Sequence, residues 1–186
     1  AFEPERFRFW LIYRTYWCAL GCLQMGGFWR AGHDRSIERV VVARRTSEQE
    51  LDLLMLLEEL APETERTRPL PPSHEPIAPG TGEPSGAEVL TAISEWLASD
   101  IKPLVSGRGK FDLAVARNAL GIVAREIAQR PTACDAELSA DLLAGRADLS
   151  TPGLLARLRR MAIDKLAADM PKYPALALAR AQWEGL

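Results

Sequence analysis

The sequence predicts an all-α protein, a small helical bundle joined by a Pro-rich linker to an aromatic-rich helical N-terminal segment. Three observations carry that expectation. Apolar residues recur at helical spacing in nearly every segment outside residues 61–85. Capping-box pairs, Ser47 with Glu50 and Ser85 with Glu88, stand just before two of these runs. Glycine or proline closes most of the runs, as at Gly26, Pro62, Gly107, Pro131 and Gly145.

The first region, residues 1–60, holds nine of the thirteen aromatic residues. From Phe7 to Met25 the pattern predicts a helix buried on most sides, ended by Gly26, Gly27 and Gly32. ERVVVARR fits either an extended or a helical segment, and TSEQELDLLMLLEEL predicts a helix with Leu51, Leu54, Leu57 and Glu58 on successive turns. Sixty residues bury only a modest share of their own surface, so these aromatics call for a partner. The second domain, another copy or a larger body would each serve.

Residues 61–85 form the linker, and APETERTRPLPPSHEPIAPGTGEPSG, which runs to Gly86, contains seven of the thirteen prolines. Such a stretch is too poor in large apolar side chains to offset its ordering entropy, which predicts an extended, semi-rigid chain. GTGEPSG is only superficially a phosphate loop, because no strand precedes it and the Lys-Ser/Thr ending is missing.

Residues 86–186 predict the bundle. Helices are expected at about 87–99, with Val89, Leu90, Ile93, Trp96 and Leu97 on the apolar side, and at about 110–129. A third starts at Thr132 and Asp135 and carries Leu138, Leu142 and Leu143; a fourth is capped by Thr151 with Pro152 in its first turn. Tyr173 to Trp183 completes the set.

Composition narrows the function. The net charge of −2 gives no basic field for nucleic acid. The longest uncharged run, Thr15 to Trp29, falls short of the roughly 20 residues of a membrane span. Three cysteines, with Cys18 and Cys22 four apart, fit reduced thiols in a cytoplasmic protein. His33 and His74 lie far from paired ligands, so neither a metal site nor a Ser–His–Asp or Cys–His arrangement is expected, and no catalytic residue or cofactor is assigned. The run Arg157, Arg159 and Arg160 reads as a solvated helix face, and Glu58 with Glu59 as a helix end without a cleft. Ala1 stands where a start Met would, which fits either Met removal or the tail of something longer.

VARNALGIVAREI keeps polar groups on an apolar helix. At 100° per residue, Ala114, Arg117, Asn118, Gly121, Arg125 and Ala128 share one strip, with small residues every seven positions. One reading lets Arg117 and Arg125 face water. A second makes Ala114, Arg117, Asn118, Gly121 and Arg125 an interface to a partner chain or to the aromatic segment, in which small residues admit a neighbouring backbone and the polar ones pair across the gap, and a third gives Arg117 and Asn118 a ligand-binding or catalytic role. Trp10 and Trp17 join this set from the aromatic helix. Glu126, beyond the Phe111 stripe, is placed for an ion pair at the core edge.

Two resemblances cover most of the chain outside the linker. Trp10, Trp17, Gly32, Ser36 to Glu38 and the spacing Ala43-Arg44-Arg45, Glu48, Glu50, Asp52-Leu53-Leu54 resemble the extreme C-terminal portion of aminoglycoside-phosphotransferase-like kinases, in the branch associated with acyl-CoA dehydrogenases and hydroxyacyl-CoA breakdown. Phe111, Ala116, Asn118, Leu120, Arg125, Glu126, Pro171, Tyr173 and Pro174 resemble a small helical domain of unknown function commonly encoded beside such kinases. The kinase catalytic loop has no counterpart: five residues after Asp34, Arg39 stands where an Asn is required. The resemblance therefore implies a non-catalytic accessory module of a phosphotransferase-family kinase, working by protein contact in acyl-CoA or hydroxy-acid catabolism, with acyl-CoA dehydrogenase pathway proteins as further partners. Its rivals are a helical module binding a CoA-type ligand, the C-terminal fragment of a longer kinase fusion, an enzyme in its own right, and an aromatic segment seated on a membrane.

Overall fold

The computed structural model describes residues 3–73, 84–129 and 136–185, all of them helical or irregular. The chain is all-α. Its helices are α1 (Pro4–Arg30), α2 (Ile37–Arg44), α3 (Thr46–Leu57), α4 (Glu63–Arg66), α5 (Gly86–Trp96), α6 (Arg108–Gln129), α7 (Ala136–Leu143), α8 (Leu154–Asp169) and α9 (Pro174–Trp183). A 3₁₀ turn extends α3 to Leu60, and a wide π turn, Leu97–Ile101, extends α5. The predicted start at Thr132 and Asp135 lies outside the described residues, as does His74.

α1 departs most from the sequence reading. It runs straight through Gly26 and Gly27 and stops at Gly32, whose φ of +79° favours glycine. It is exposed on most sides, because its inward seam is made of slender residues. Arg8, Ile12, Thr15, Ala19, Cys22 and Gly26 follow one another at alternating steps of four and three. A Cβ on Gly26 would lie 3.2 Å from the Ala43 methyl, which places α2 hard against α1 at that point. The wide aromatic side chains are left facing outward.

ERVVVARR proves helical, as α2. Only Arg45 separates α2 from α3, and it keeps helical dihedrals. Ser47 is therefore inside a nearly continuous helical path, its hydroxyl donating to the Arg44 carbonyl (3.0 Å), and the expected Ser47–Glu50 capping box does not form. The Ser85–Glu88 box does form, with Ser85 N donating to Glu88 Oε2 at 2.8 Å and Glu88 N to Ser85 Oγ at 3.4 Å. At the fourth predicted helix the Thr151 hydroxyl accepts from Asp148 N, closing the preceding turn, and α8 begins after Gly153 at φ +77°.

Asp34 organises the start of α2. It accepts from Ser36 N (2.9 Å) and Arg39 Nε (2.6 Å). The Ser36 amide first, and then Arg39, hold its carboxyl down at about 2. A depressed carboxyl contributes stability that is present above its unfolded value of about 3.9 and is lost as pH falls through the folded one. Asp34→Asn is expected to melt below wild type at pH 6, and the gap to close toward pH 2. Thermal unfolding at both pH values measures it.

The best-packed core gathers Leu51 from α3, Ala162, Ile163, Leu166 and Ala167 from α8, and Leu176, Ala179 and Trp183 from α9. Leu51, Ile163, Leu166 and Trp183 are fully buried. The proline-rich stretch does not run free from its first residue. Ala61 and Glu65 are buried, Leu70 packs against the core, and Pro71 O accepts from Arg160 Nε.

Candidate interaction site

α3 meets α8 and α9 through an apolar centre with charged contacts around it. At the centre sits Leu51. At one end Glu50 accepts from Lys165 Nζ at 2.6 and 2.7 Å, and Asp52 accepts from the Tyr173 hydroxyl at 2.7 Å. Burial, and then this bond, push the Tyr173 phenol up, while burial raises the Asp52 carboxyl. At the other end Glu58 is almost wholly buried. Its Oε2 accepts from Arg159 Nε (3.0 Å) and Nη2 (2.6 Å) and from Trp183 Nε1 (2.8 Å), and its Oε1 from Gln182 Nε2 (2.6 Å). Arg159 also donates to Arg66 O at 2.8 Å and lies over the Trp183 ring at 5.3 Å. A further link runs from Arg44, which binds Asp169 at 2.6 Å and Glu126 at 3.0 Å. Burial works against the Arg44 charge; the two carboxylates more than offset it and leave its pKa raised.

The ARRxxExExDLL spacing thus has a local physical use. Arg44, Glu50 and Asp52 all engage the last third of the chain, and Arg45 pairs with its own Glu48 at 2.9 Å.

The predicted strip on α6 is divided. Ala114 and Asn118 are exposed. Arg117 Nε donates to Ser94 O of α5 (3.0 Å), and Arg125 Nε to Ala168 O at the end of α8 (2.7 Å). Gly121 makes room for Arg125: a Cβ there would stand 3.0 Å from its Nη1. Burial depresses the Arg125 pKa. Of the six strip residues, Arg117 and Arg125 are therefore spent on contacts within the chain, and Gly121 on making room for one of them. Glu126 forms the expected core-edge pair, with Arg44. Trp10 and Trp17 lie on α1, 50% and 57% exposed.

Sequence reasoning missed Arg159 and Glu58. Arg159 belongs to a run that reads as a solvated face, yet it is 2% exposed, and Glu58 6%. A signal existed: Leu155, Arg159, Ala162 and Leu166 step by four, three and four, so position 159 belongs to the inward stripe.

A shallow apolar groove runs along α5, lined by Pro84, Glu88, Val89, Ala92, Ile93 and Trp96. Its one charged lining residue is a carboxylate, a poor match for the phosphates of a CoA-type ligand. Among the described residues no group of three His, Cys, Asp or Glu is placed to hold a metal ion, and no helix is long and apolar enough to cross a membrane. Comparison with protein-family models, curated proteins and solved structures finds no match to this chain.

Proposed function

We propose that the chain is a non-catalytic partner module of a phosphotransferase-family kinase, and that its α8–α9 face is the surface on which the kinase tail docks. One observation carries the reading. The segment resembling a kinase tail presents Glu50, Leu51, Asp52 and Glu58, and α8 and α9 answer with Lys165, an apolar cluster, Tyr173 and Arg159. Polar pairs flank an apolar centre, as in a recognition surface where such pairs fix register. In this chain the tail-like helix occupies the face in cis. A kinase tail with the same spacing would compete for it in trans, and the acyl-CoA or hydroxy-acid setting follows from the resemblance.

Two reversals of one ion pair separate this from a purely internal packing role. Glu50→Lys loosens the cis helix while leaving Lys165 free to receive a carboxylate. Lys165→Glu disables the face itself. Against an immobilised phosphotransferase-family kinase whose C-terminal segment carries the same spacing, the first is expected to raise capture of the full-length chain above wild type, and the second to lower it below wild type. Equal capture of the two variants would sink the proposal.

A further inference from the structure

α1 carries a second seam, opposite the first. Trp10, Tyr13, Trp17, Leu20, Gln24 and Gly27 again alternate in steps of three and four. That is the spacing with which one helix packs along another. The seam faces outward: Trp10, Tyr13, Trp17 and Leu20 are 50%, 42%, 57% and 41% exposed. We propose that its occupant is α1 of a second copy of this chain, antiparallel about a two-fold axis at Trp17.

Three features select that occupant. The first is taper. The aromatic residues lie in the first half of the seam, while a Cβ on Gly21 or Gly27 in the second half would meet nothing within 4 Å. An antiparallel pair sets Trp10 of one copy against Gln24 of the other, Tyr13 against Gly21 and beside Leu20, and Trp17 against Trp17. A parallel pair would stack bulky on bulky and leave the lean halves apart. The second is charge. Glu5, in the first turn, and Arg30, in the last, share one edge of the helix, about 90–110° round from the seam at 100° per residue, so the two-fold sets Glu5 of each copy at the same end of the pair as the other copy's Arg30. Antiparallel helix dipoles favour the same arrangement. The third is area. Phe9, Trp10, Tyr13, Tyr16 and Trp17 are 42–60% exposed. At 150–250 Å² per aromatic side chain they offer roughly 500 Å² per copy. Leu20 and Leu23 bring the two-copy total to about 1,200 Å², the lower edge of stable, specific interfaces.

The same isologous face thus supplies its own complement, as two-fold dimers require. This pairing is independent of the α8–α9 face and of any kinase.

Light scattering across a concentration series of the full chain is expected to give twice the chain mass. Trp17→Glu, at a 57% exposed position, is expected to give the single-chain mass with unchanged helical circular dichroism. Leu143→Glu, at a 90% exposed site on α7, is expected to stay paired. In a chain carrying Glu5→Cys and Arg30→Cys, with its three native cysteines changed to Ser, mild oxidation is expected to link position 5 of one copy to position 30 of the other. Linkage of 5 to 5 alone overturns the antiparallel arrangement. A single-chain mass for wild type, or pairing that survives Trp17→Glu, overturns the proposal; flotation of that monomer with anionic phospholipid vesicles, or its capture by the kinase, would then assign the face to a membrane or to the kinase.

Discussion

Replacing Arg159 by Leu is expected to destabilise the chain by about 3–5 kcal/mol, the usual result of removing one partner from a buried ion pair. The substitution leaves apolar volume in place, so the loss is electrostatic. Glu58 would keep two neutral donors, Trp183 Nε1 and Gln182 Nε2, and lose both guanidinium bonds. The Arg66 carbonyl would lose its donor as well. Against the 5–15 kcal/mol that holds a typical domain together, this is a large fraction. The double variant Glu58→Leu, Arg159→Leu is expected to recover part of the loss, because neither charge is then stranded in the core. Urea unfolding of the two single variants and the double one closes the cycle. The Lys165–Glu50 pair behaves differently. Both side chains are about 40% exposed, and screening holds such a pair to at most about 1 kcal/mol. Its use in the capture experiment is to change specificity while leaving the fold standing.

How far the sequence anticipated these contacts depended on how local they are. The Ser85–Glu88 box was legible because donor and acceptor sit three residues apart and need nothing else. Helix existence and the stops at Gly32 and Gly145 were legible for the same reason: periodicity and positive φ are properties of short stretches. The Ser47–Glu50 box has the same letters and failed. Its letters say nothing about α2, which arrives in helical geometry and puts Ser47 inside the path. The partners Glu58 and Arg159 are 101 residues apart, and no local pattern marks a charge as one half of a buried pair. The aromatic helix inverted for a related reason. Apolar content alone predicts burial, but the slender seam of Thr15, Ala19, Cys22 and Gly26 decides which side meets α2 and α3. On the α6 strip the small-residue repeat was visible, yet Gly121 answers to its own Arg125 rather than to a neighbouring backbone.

Leu51→Ala is expected to cost about 2–5 kcal/mol, the range for truncating a buried leucine, with the upper part favoured where neighbours cannot close the gap. Leu51 has no exposed surface and shares its cluster with Ile163, Leu166, Leu176 and Trp183, from helices more than a hundred residues away. The rim of the contact is held by ion pairs and hydrogen bonds from Lys165, Tyr173 and Arg159, so the cavity has little freedom to collapse. Truncating Leu143, 90% exposed, is expected to change stability by less than about 0.5 kcal/mol. The consequence reaches beyond one side chain. If α3 contributes to the same core as α8 and α9, Leu51→Ala lowers the protection of α8 amides in hydrogen exchange by as much as it lowers the global midpoint in urea. Unchanged protection in α8, with loss confined to α1–α3, would mean that the first sixty residues unfold by themselves. The first sixty residues would then be a removable lid on the α8–α9 face, and the proposed trans competition by a kinase tail would need correspondingly less energy.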